Sequence, residues 1–288
     1  MHADASPLPP VDFLAIGHVC YDLVASGRAV GGAAAYCASA AGALGCRAGI
    51  VTSAALEDDW TGVLPDVAVR QIVAPATTVF ENVYTAEGRT QTIHAVAGRL
   101  SPEHVPASWR RAPIVHLGPI ADEVDPALIN LFNDSVVGVG PQGWMRRWDE
   151  RGRVRQVPWA TAAEVLPLAA ATFVSLEDLA DRAILREYRQ LARVLVVTAG
   201  AEGCTVFCRG EQRAFPAPVV EVKDATGAGD IFAAAYLVRF HQTNGNLWDA
   251  AVFANQVAAA SVSERGLPAK LHVIRRLLAE MMHQPARQ

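Results

Sequence analysis

Lysine is almost missing from this chain. Lys223 and Lys270 are the only two in 288 residues, and arginine carries the remaining permanent positive charge. The net charge is −4 and charged residues make up only 19% of the chain. That balance argues against a nucleic-acid backbone as the main partner and leaves a small anionic ligand open. Cysteine is scarce and odd in number: Cys20, Cys37, Cys46, Cys204 and Cys208, with no C-x-x-C pair. Cys204 and Cys208 are spaced to share one face of a strand, but no histidine lies near them in sequence to complete a zinc set. Free, mostly buried thiols in a reducing compartment are the expectation. No apolar run approaches ~20 residues without a Gly, Pro or polar break, so no membrane span is expected. The start, MHADASPLPPVDF, has no basic segment followed by an apolar core. No signal peptide is predicted, and the cytoplasm is the expected location. The chain has no G-K-[ST], no G-x-S-x-G and no H-E-x-x-H. A Walker-type loop is thereby excluded, and neither a hydrolase elbow nor a zincin is supported.

What is present is apolar. Hydrophobic residues make up 51% of the sequence, enough to bury a large core in one α/β domain. Residues 1–10 read as a flexible leader, 11–283 as a single domain and 284–288 as a tail. VDFLAIGHV reads as a buried strand, and GGAAAYCASAAGALG (31–45) as a helix of small side chains that stops at Gly45. Apolar strands follow in RAGIVTSA and near 112–120, 135–140, 171–176 and 193–200. Short apolar runs alternating with helices predict a parallel sheet covered on both faces, a three-layer α/β/α sandwich. Two stretches break the rhythm. Residues 77–96 form two extended arms around Ala86-Glu87-Gly88, polar for a core strand, and are read as a flap or as an edge hairpin. Residues 204–217 form a second hairpin around Arg209-Gly210. Three helical stretches close the chain at 228–241, 246–264 and 268–282.

One segment carries chemistry. EVKDATGAGDIFAAAYL (221–237) places Thr226-Gly227-Ala228-Gly229 ahead of Asp230 and an apolar helix. Helix N-termini leave N–H groups unpaired and carry about half a positive charge. Small residues there let an anion approach. Asp230 then has two readings. It is an N-cap, worth about 1 kcal/mol, or it is a general base beside an anion hole, kept ionised by the helix dipole. Phosphoryl transfer to an alcohol needs both a base and an anion hole.

Other signals are read blandly. Gly138, Gly140 and Gly143 spell G-x-G-x-x-G, but Pro141 sits inside and no long helix follows, so a strand end leaving the sheet explains them. The arginines at 146, 147, 151, 153 and 155 read as a solvated turn rather than an anion-binding rim. Glu57-Asp58-Asp59 reads as a solvated helix start. His18 reads as a satisfied polar contact, with substrate contact as the alternative. Lys223 reads as a surface residue or a phosphate contact.

The T-G-A-G-D stretch with its small-residue helix resembles the signature of the ribokinase-like (PfkB-type) carbohydrate kinases, and the likeness covers nearly the whole chain. That resemblance implies an ATP- and Mg²⁺-dependent kinase with Asp230 as base and Gly227, Ala228 and Gly229 as anion hole. It implies a nucleotide site at Thr198, Gly200 and Gly203 of VTAGAEG, at Thr226, at Asn255 of the late helix, and at Ser175. Asp22, Gly31, Gly32 and Tyr36 would meet the acceptor. The family's N-x-x-E stretch is here Ser175-Leu176-Glu177-Asp178, so Asp178 would keep the acidic, metal-related role through water. The family's Asn after the di-glycine is replaced by Ala35-Tyr36, and the short spacer between Asp22 and Gly31 implies a cut-down first lid hairpin. A small β lid is expected near 18–32 and 72–98.

Residues 77–91, together with GPQGWMRRWDERGRV (140–154), are similar to myo-inositol kinases. The first expectation is therefore a sugar or cyclitol kinase, acting as a monomer or homodimer with no nucleic-acid or membrane partner. A nucleoside kinase is the second, with Phe80, Tyr84 and Tyr36 as stacking candidates. A non-catalytic ligand-binding relative is the third.

Overall fold

The computed structural model describes residues 8–85 and 88–283. Most of the leader, residues 86 and 87, the side chain of Tyr84 and the tail lie outside the described residues. The strands are β1 (Phe13–Ile16), β2 (Cys20–Val24), β3 (Gly27–Gly31), β4 (Ala48–Ala54), β5 (Val67–Val73), β6 (Val79–Thr85), β7 (Gly88–Ala95), β8 (Ile114–Leu117), β9 (Val136–Val139), β10 (Arg146–Trp148), β11 (Val154–Gln156), β12 (Ala171–Ser175), β13 (Leu195–Thr198), β14 (Cys204–Cys208) and β15 (Glu211–Phe215). The helices are α1 (Ala33–Ala43), α2 (Ala162–Val165), α3 (Leu185–Leu191), α4 (Ala228–Gln242), α5 (Leu247–Val262) and α6 (Leu267–His283).

The main sheet runs β15-β14-β13-β12-β9-β8-β1-β4-β5. Its seven strands from β13 to β5 are parallel, and the β14–β15 hairpin adds the antiparallel edge. That hairpin turns at Arg209 and Gly210, both at positive φ, which the right-handed strand twist favours for a two-residue turn. Helices α1, α4, α5 and α6 cover one face. Nearly every residue of α1 is buried, because an Ala-rich helix can approach the sheet closely from all sides.

The opposite face departs from the expected alternation of strands and helices. Its layer is built mostly from short 3₁₀ turns at Pro102–His104, Ala107–Trp109, Pro126–Leu131 and Pro141–Met145, with the short α2 and α3. Proline opens each of those four turns. Its fixed φ and missing N–H favour a single tight turn over a long helix at these points. Large aromatics fill the layer instead, with Trp144 stacked on Trp159 at 5.4 Å and Trp159 edge-on to Tyr188 at 5.8 Å.

A second sheet, β3-β2-β6-β7, stands over the C-terminal ends of the parallel strands. The β2–β3 hairpin is short but complete, with five residues per strand. Val67–Val73 belongs to the main sheet as its edge strand, so the lid begins after it. The GPQGWMRRWDERGRV stretch contains the β10–β11 hairpin, which docks on β7 through the Ile93 N–H donated to the Gly152 carbonyl at 2.8 Å.

Polar side chains fix the root of the lid. Glu123, 2% exposed, accepts N–H bonds from His18 (2.9 Å), Ile120 (2.9 Å) and Ala121 (2.7 Å). His18 is the satisfied contact of its sequence reading. Its Nε2 donates to the Gly98 carbonyl at 2.8 Å, so Nδ1 accepts from Thr78 at 2.8 Å. Glu57 and Asp59 are exposed, but the run starts no helix and Asp58 is half-buried, accepting from Tyr21 Oη at 2.9 Å and from Thr77 Oγ1. The G-x-G-x-x-G match is a strand end running into a 3₁₀ turn. Among the described residues no helix is long and apolar enough to cross a membrane.

Candidate active site

The lid and the strand ends enclose one continuous cleft of about 1750 Å³. The sequence-derived candidates Asp22, Gly32, Tyr36, Ser175, Asp178, Thr198, Gly200, Gly203, Thr226, Gly227, Ala228, Gly229, Asp230 and Asn255 all line it. Gly31 lies just behind the wall. A Cβ there would fall 2.2 Å from Asp22 Oδ2, so the glycine makes room for that carboxylate.

The T-G-A-G-D stretch opens α4. Gly227 is the N-cap, in the left-handed region at φ 72°, and a side chain there would collide with the Tyr36 ring at 2.2 Å. Only glycine satisfies both demands. Asp230 is therefore the third helical residue and makes no capping bond. The N-cap reading of Asp230 is overturned, because the left-handed Gly227 turn occupies the cap position. The Gly227, Gly229 and Asp230 N–H groups make no protein hydrogen bond among the described residues, whereas the Ala228 N–H, expected in the anion hole, donates to the Ala225 carbonyl at 3.1 Å. Gly229 differs from Gly227: a Cβ on it would meet no atom within 4 Å, and its φ is not positive. Nothing in the protein requires glycine there, yet alanine is the better helix former. The space it leaves open belongs to the cleft.

The expectation that the helix dipole keeps Asp230 ionised is also corrected. Burial, with the Asp178 and Asp22 carboxylates adding repulsion and Arg146 opposing it, raises the Asp230 pKa from 3.8 to about 7. Desolvation is the largest of these influences.

Opposite Asp230, the inner face of the lid is a chain of polar groups. Gln91 donates to Asn82 Oδ1 at 2.9 Å, and Asn82 Nδ2 donates to Asp22 Oδ1 at 3.3 Å. Asp178 accepts both of its bonds from Gln142 Nε2, at 2.9 and 3.0 Å. Gln142 and Arg146 come from the stretch read as a strand end and a solvated turn. Arg146 is 7% exposed, lines the cleft, donates to the Ile120 carbonyl at 3.1 Å and sits over the Phe80 ring. The solvated-turn reading fails for it because β10 turns this one arginine inward. No local spacing in the sequence separates Arg146 from its four neighbours. His116, on the cleft floor at the end of β8, is held neutral by burial, with its pKa lowered to about 4.

The nucleotide-side candidates differ in how free they are. Ser175 Oγ accepts the Glu177 N–H at 3.2 Å and caps the turn that carries Asp178. Asn255 Nδ2 donates to the Phe215 carbonyl at 2.9 Å, tying α5 to β15. Lys223 is exposed at the cleft edge. A strip of apolar side chains, including Val219, Val220, Val222 and Val262, continues the wall beside α4. Among the described residues no group of three His, Cys, Asp or Glu side chains is set to hold a metal ion.

Comparison with known proteins finds kinases. The model of the pfkB family of carbohydrate kinases matches residues 160–272. A cytidine kinase of Thermococcus kodakarensis is 28% identical over 80% of this chain and 88% of its own. An inositol 3-kinase of Oryza sativa subsp. japonica is 29% identical over 96% of this chain and 76% of its own. A pyrophosphate-dependent kinase of the ribokinase family, complexed with a pyrophosphate analog and myo-inositol, superposes with a TM-score of 0.77 at 23% identity, covering 91% of this chain and 98% of the other. A fructokinase with bound ATP from Xylella fastidiosa gives 0.71 at 20% identity, covering 94% and 99%. The chain is thus similar to the pfkB family of carbohydrate kinases over residues 160–272, and its fold is that of the ribokinase-family kinases.

Proposed function

We propose that the protein transfers the γ-phosphoryl group of ATP to a hydroxyl of a small polyol, a cyclitol of the myo-inositol type first among the candidates. The Asp22–Asn82–Gln91 chain facing Asp230 across the cleft carries this reading. Its acceptor and donor groups suit a ring bearing hydroxyls on several carbons. The nucleoside alternative needs an aromatic face free to stack. Of the stacking candidates whose side chains are described, Phe80 is 3% exposed beneath Arg146 and Tyr36 is 5% exposed against Gly227, so neither offers one.

In this reading Asp230 accepts the proton of the attacking hydroxyl. A pKa near 7 suits a general base at neutral pH. The N–H groups of Gly229 and Asp230 receive the transferred phosphoryl oxygens, and Arg146 adds positive charge beside them. Asp22 orients the acceptor, and the lid excludes water, which otherwise competes as acceptor. Thr198, Gly200, Gly203, Thr226 and Asn255 border the donor. The apolar strip around Val219–Val222 favours a donor with a flat base over pyrophosphate, which has no apolar part. Mg²⁺ fits the site on its charge: the Asp178 and Asp230 carboxylates repel each other, and a divalent cation relieves such a pair. Asp178 would hold it through water, with the donor phosphates supplying most ligands, and the ion would neutralise phosphate charge.

The test is ADP release with ATP-Mg²⁺ across myo-inositol and its isomers, ribose, fructose, adenosine and cytidine, repeated with pyrophosphate as donor. Turnover on a cyclitol with ATP is expected. Turnover confined to nucleosides would overturn the acceptor reading, and turnover only with pyrophosphate would overturn the donor reading. ATP binding without turnover on any acceptor would favour a binding protein.

A further inference from the structure

Lys270 is one of two lysines in the chain and is wholly buried, near the start of α6. Other buried residues of that helix are the apolar Leu267, Val273 and Ile274. Burying an ammonium costs several kcal/mol unless its partners are excellent, so its presence among apolar neighbours needs a reason. The partners supply one. Nζ donates to the Asp224 main-chain carbonyl and to the Ser261 carbonyl at 3.4 Å, and lies 3.6 Å from Asp224 Oδ2. The Asp224 carboxylate in turn accepts the N–H groups of Thr226 at 2.9 Å and Gly266 at 3.1 Å. The Lys223 and Asp224 N–H groups donate to the Val262 carbonyl at 2.8 and 3.2 Å. Ser261 and Val262 end α5, where helix carbonyls carry partial negative charge. Two carbonyls and a carboxylate thus converge on one point, and the ammonium fills it.

Every one of these contacts bears on Lys223–Thr226 or on its clamp to the α5–α6 junction. That segment delivers Gly227, and with it the start of α4. We propose that Lys270 is a positioning residue of the donor site, an internal cation that fixes the loop so that the Gly229 and Asp230 N–H groups face the donor phosphates. The proposal rests on the reading that those groups receive the donor. A merely structural ion pair would stabilise the fold without favouring donor over acceptor. An internal cation has a further consequence: a small ion entering the emptied space can replace it.

The experiment compares wild type with Lys270→Met in a buffer whose only cations are Mg²⁺ and a bulky organic ammonium. Wild-type turnover should be indifferent to added ammonium or potassium ions. Lys270→Met should lose roughly tenfold or more in kcat/KM for the donor, with the acceptor KM within about twofold, and added ammonium or potassium should restore much of the loss. Equal activity in the two proteins, or a loss shared by both substrates that no cation restores, would overturn the proposal. If Lys270→Met does not fold, Lys270→Gln takes its place. Strong activation of the wild type by potassium would overturn the proposal with no variant needed. If wild type transfers no phosphoryl group, the donor-site reading has failed separately. The same pattern is then read in calorimetric affinity for Mg-ATP, and an affinity indifferent to both substitution and cation overturns the proposal.

Discussion

Replacing Asp230 by Asn should damage turnover and strengthen the fold at the same time. The folded protein raises the Asp230 pKa from 3.8 to about 7, chiefly by burial, with Asp178 and Asp22 contributing. A carboxyl whose pKa is higher in the folded state binds its proton more tightly there. Its contribution to stability is intact below the unfolded value and lost as pH rises through about 7. At pH near 8 the ionised group therefore costs the fold something, with a ceiling of about 4 kcal/mol from the linkage arithmetic. Asp230 is partly exposed, and water entering the cleft lowers that cost. A gain of about 1–3 kcal/mol for the neutral amide is expected, a rise of a few degrees in Tm. By pH 5 the gap should shrink by more than half, and it closes only below the unfolded value of 3.8. Turnover should fall at least ~10²-fold at any pH, because the amide cannot take the hydroxyl proton. The assay is thermal melting of both proteins from pH 5 to 8, beside steady-state kinetics. A Tm gap that is absent or reversed at pH 8 would show that the fold does not strain this carboxylate. Turnover within a few fold of wild type would remove Asp230 from the chemistry.

The same electrostatics predict that Asp178→Asn and Arg146→Met move the acidic limb of the pH–rate profile in opposite directions. Removing the Asp178 charge should carry the limb from near 7 toward lower pH, and removing Arg146 should carry it higher, each by about half a pH unit or more. Shifts in one direction would mean that neither group acts through Asp230. Gly229→Ala should be tolerated by the fold, with a gain of up to about 0.5 kcal/mol, since no atom stands where its Cβ would go. Its KM for the donor should nevertheless rise by roughly tenfold, because the methyl group enters the space proposed for the phosphates. Unchanged donor kinetics would move the phosphates elsewhere in the cleft.

The two halves of the cleft were unequally legible in the sequence, and for a physical reason. The α4 entrance is local. Thr226–Asp230 sit on one turn, and the residue types needed there follow from helix-end chemistry, so five adjacent letters suffice. The parallel sheet was equally plain, because strands buried on both faces must be continuously apolar. The layer of 3₁₀ turns was not, since its Trp and Tyr side chains carry no period. The inward turn of Arg146 was hidden for the same kind of reason. It is decided by pairing between β10 and β11 and by the docking of that hairpin on β7, not by any neighbour in sequence. Lys270 stands 46 residues from the Asp224 it contacts, and only its rarity among so many arginines marked it.

This difference bears on how the protein's specificity is encoded. The proposed acceptor side is assembled from Asp22, Asn82 and Gln91, on three different strands and joined through side-chain bonds across the lid. Single substitutions there change one contact and leave the sheet untouched. On the proposed donor side, Gly227 is held by its left-handed backbone and the Tyr36 ring, and Asp224 by Lys270, Thr226 and Gly266. A change at any of these disturbs several constraints at once. The chemistry is thus written where the backbone is most constrained, and the choice of acceptor where it is least. A short motif can therefore identify the reaction class here, while the acceptor has to be argued from the folded lid.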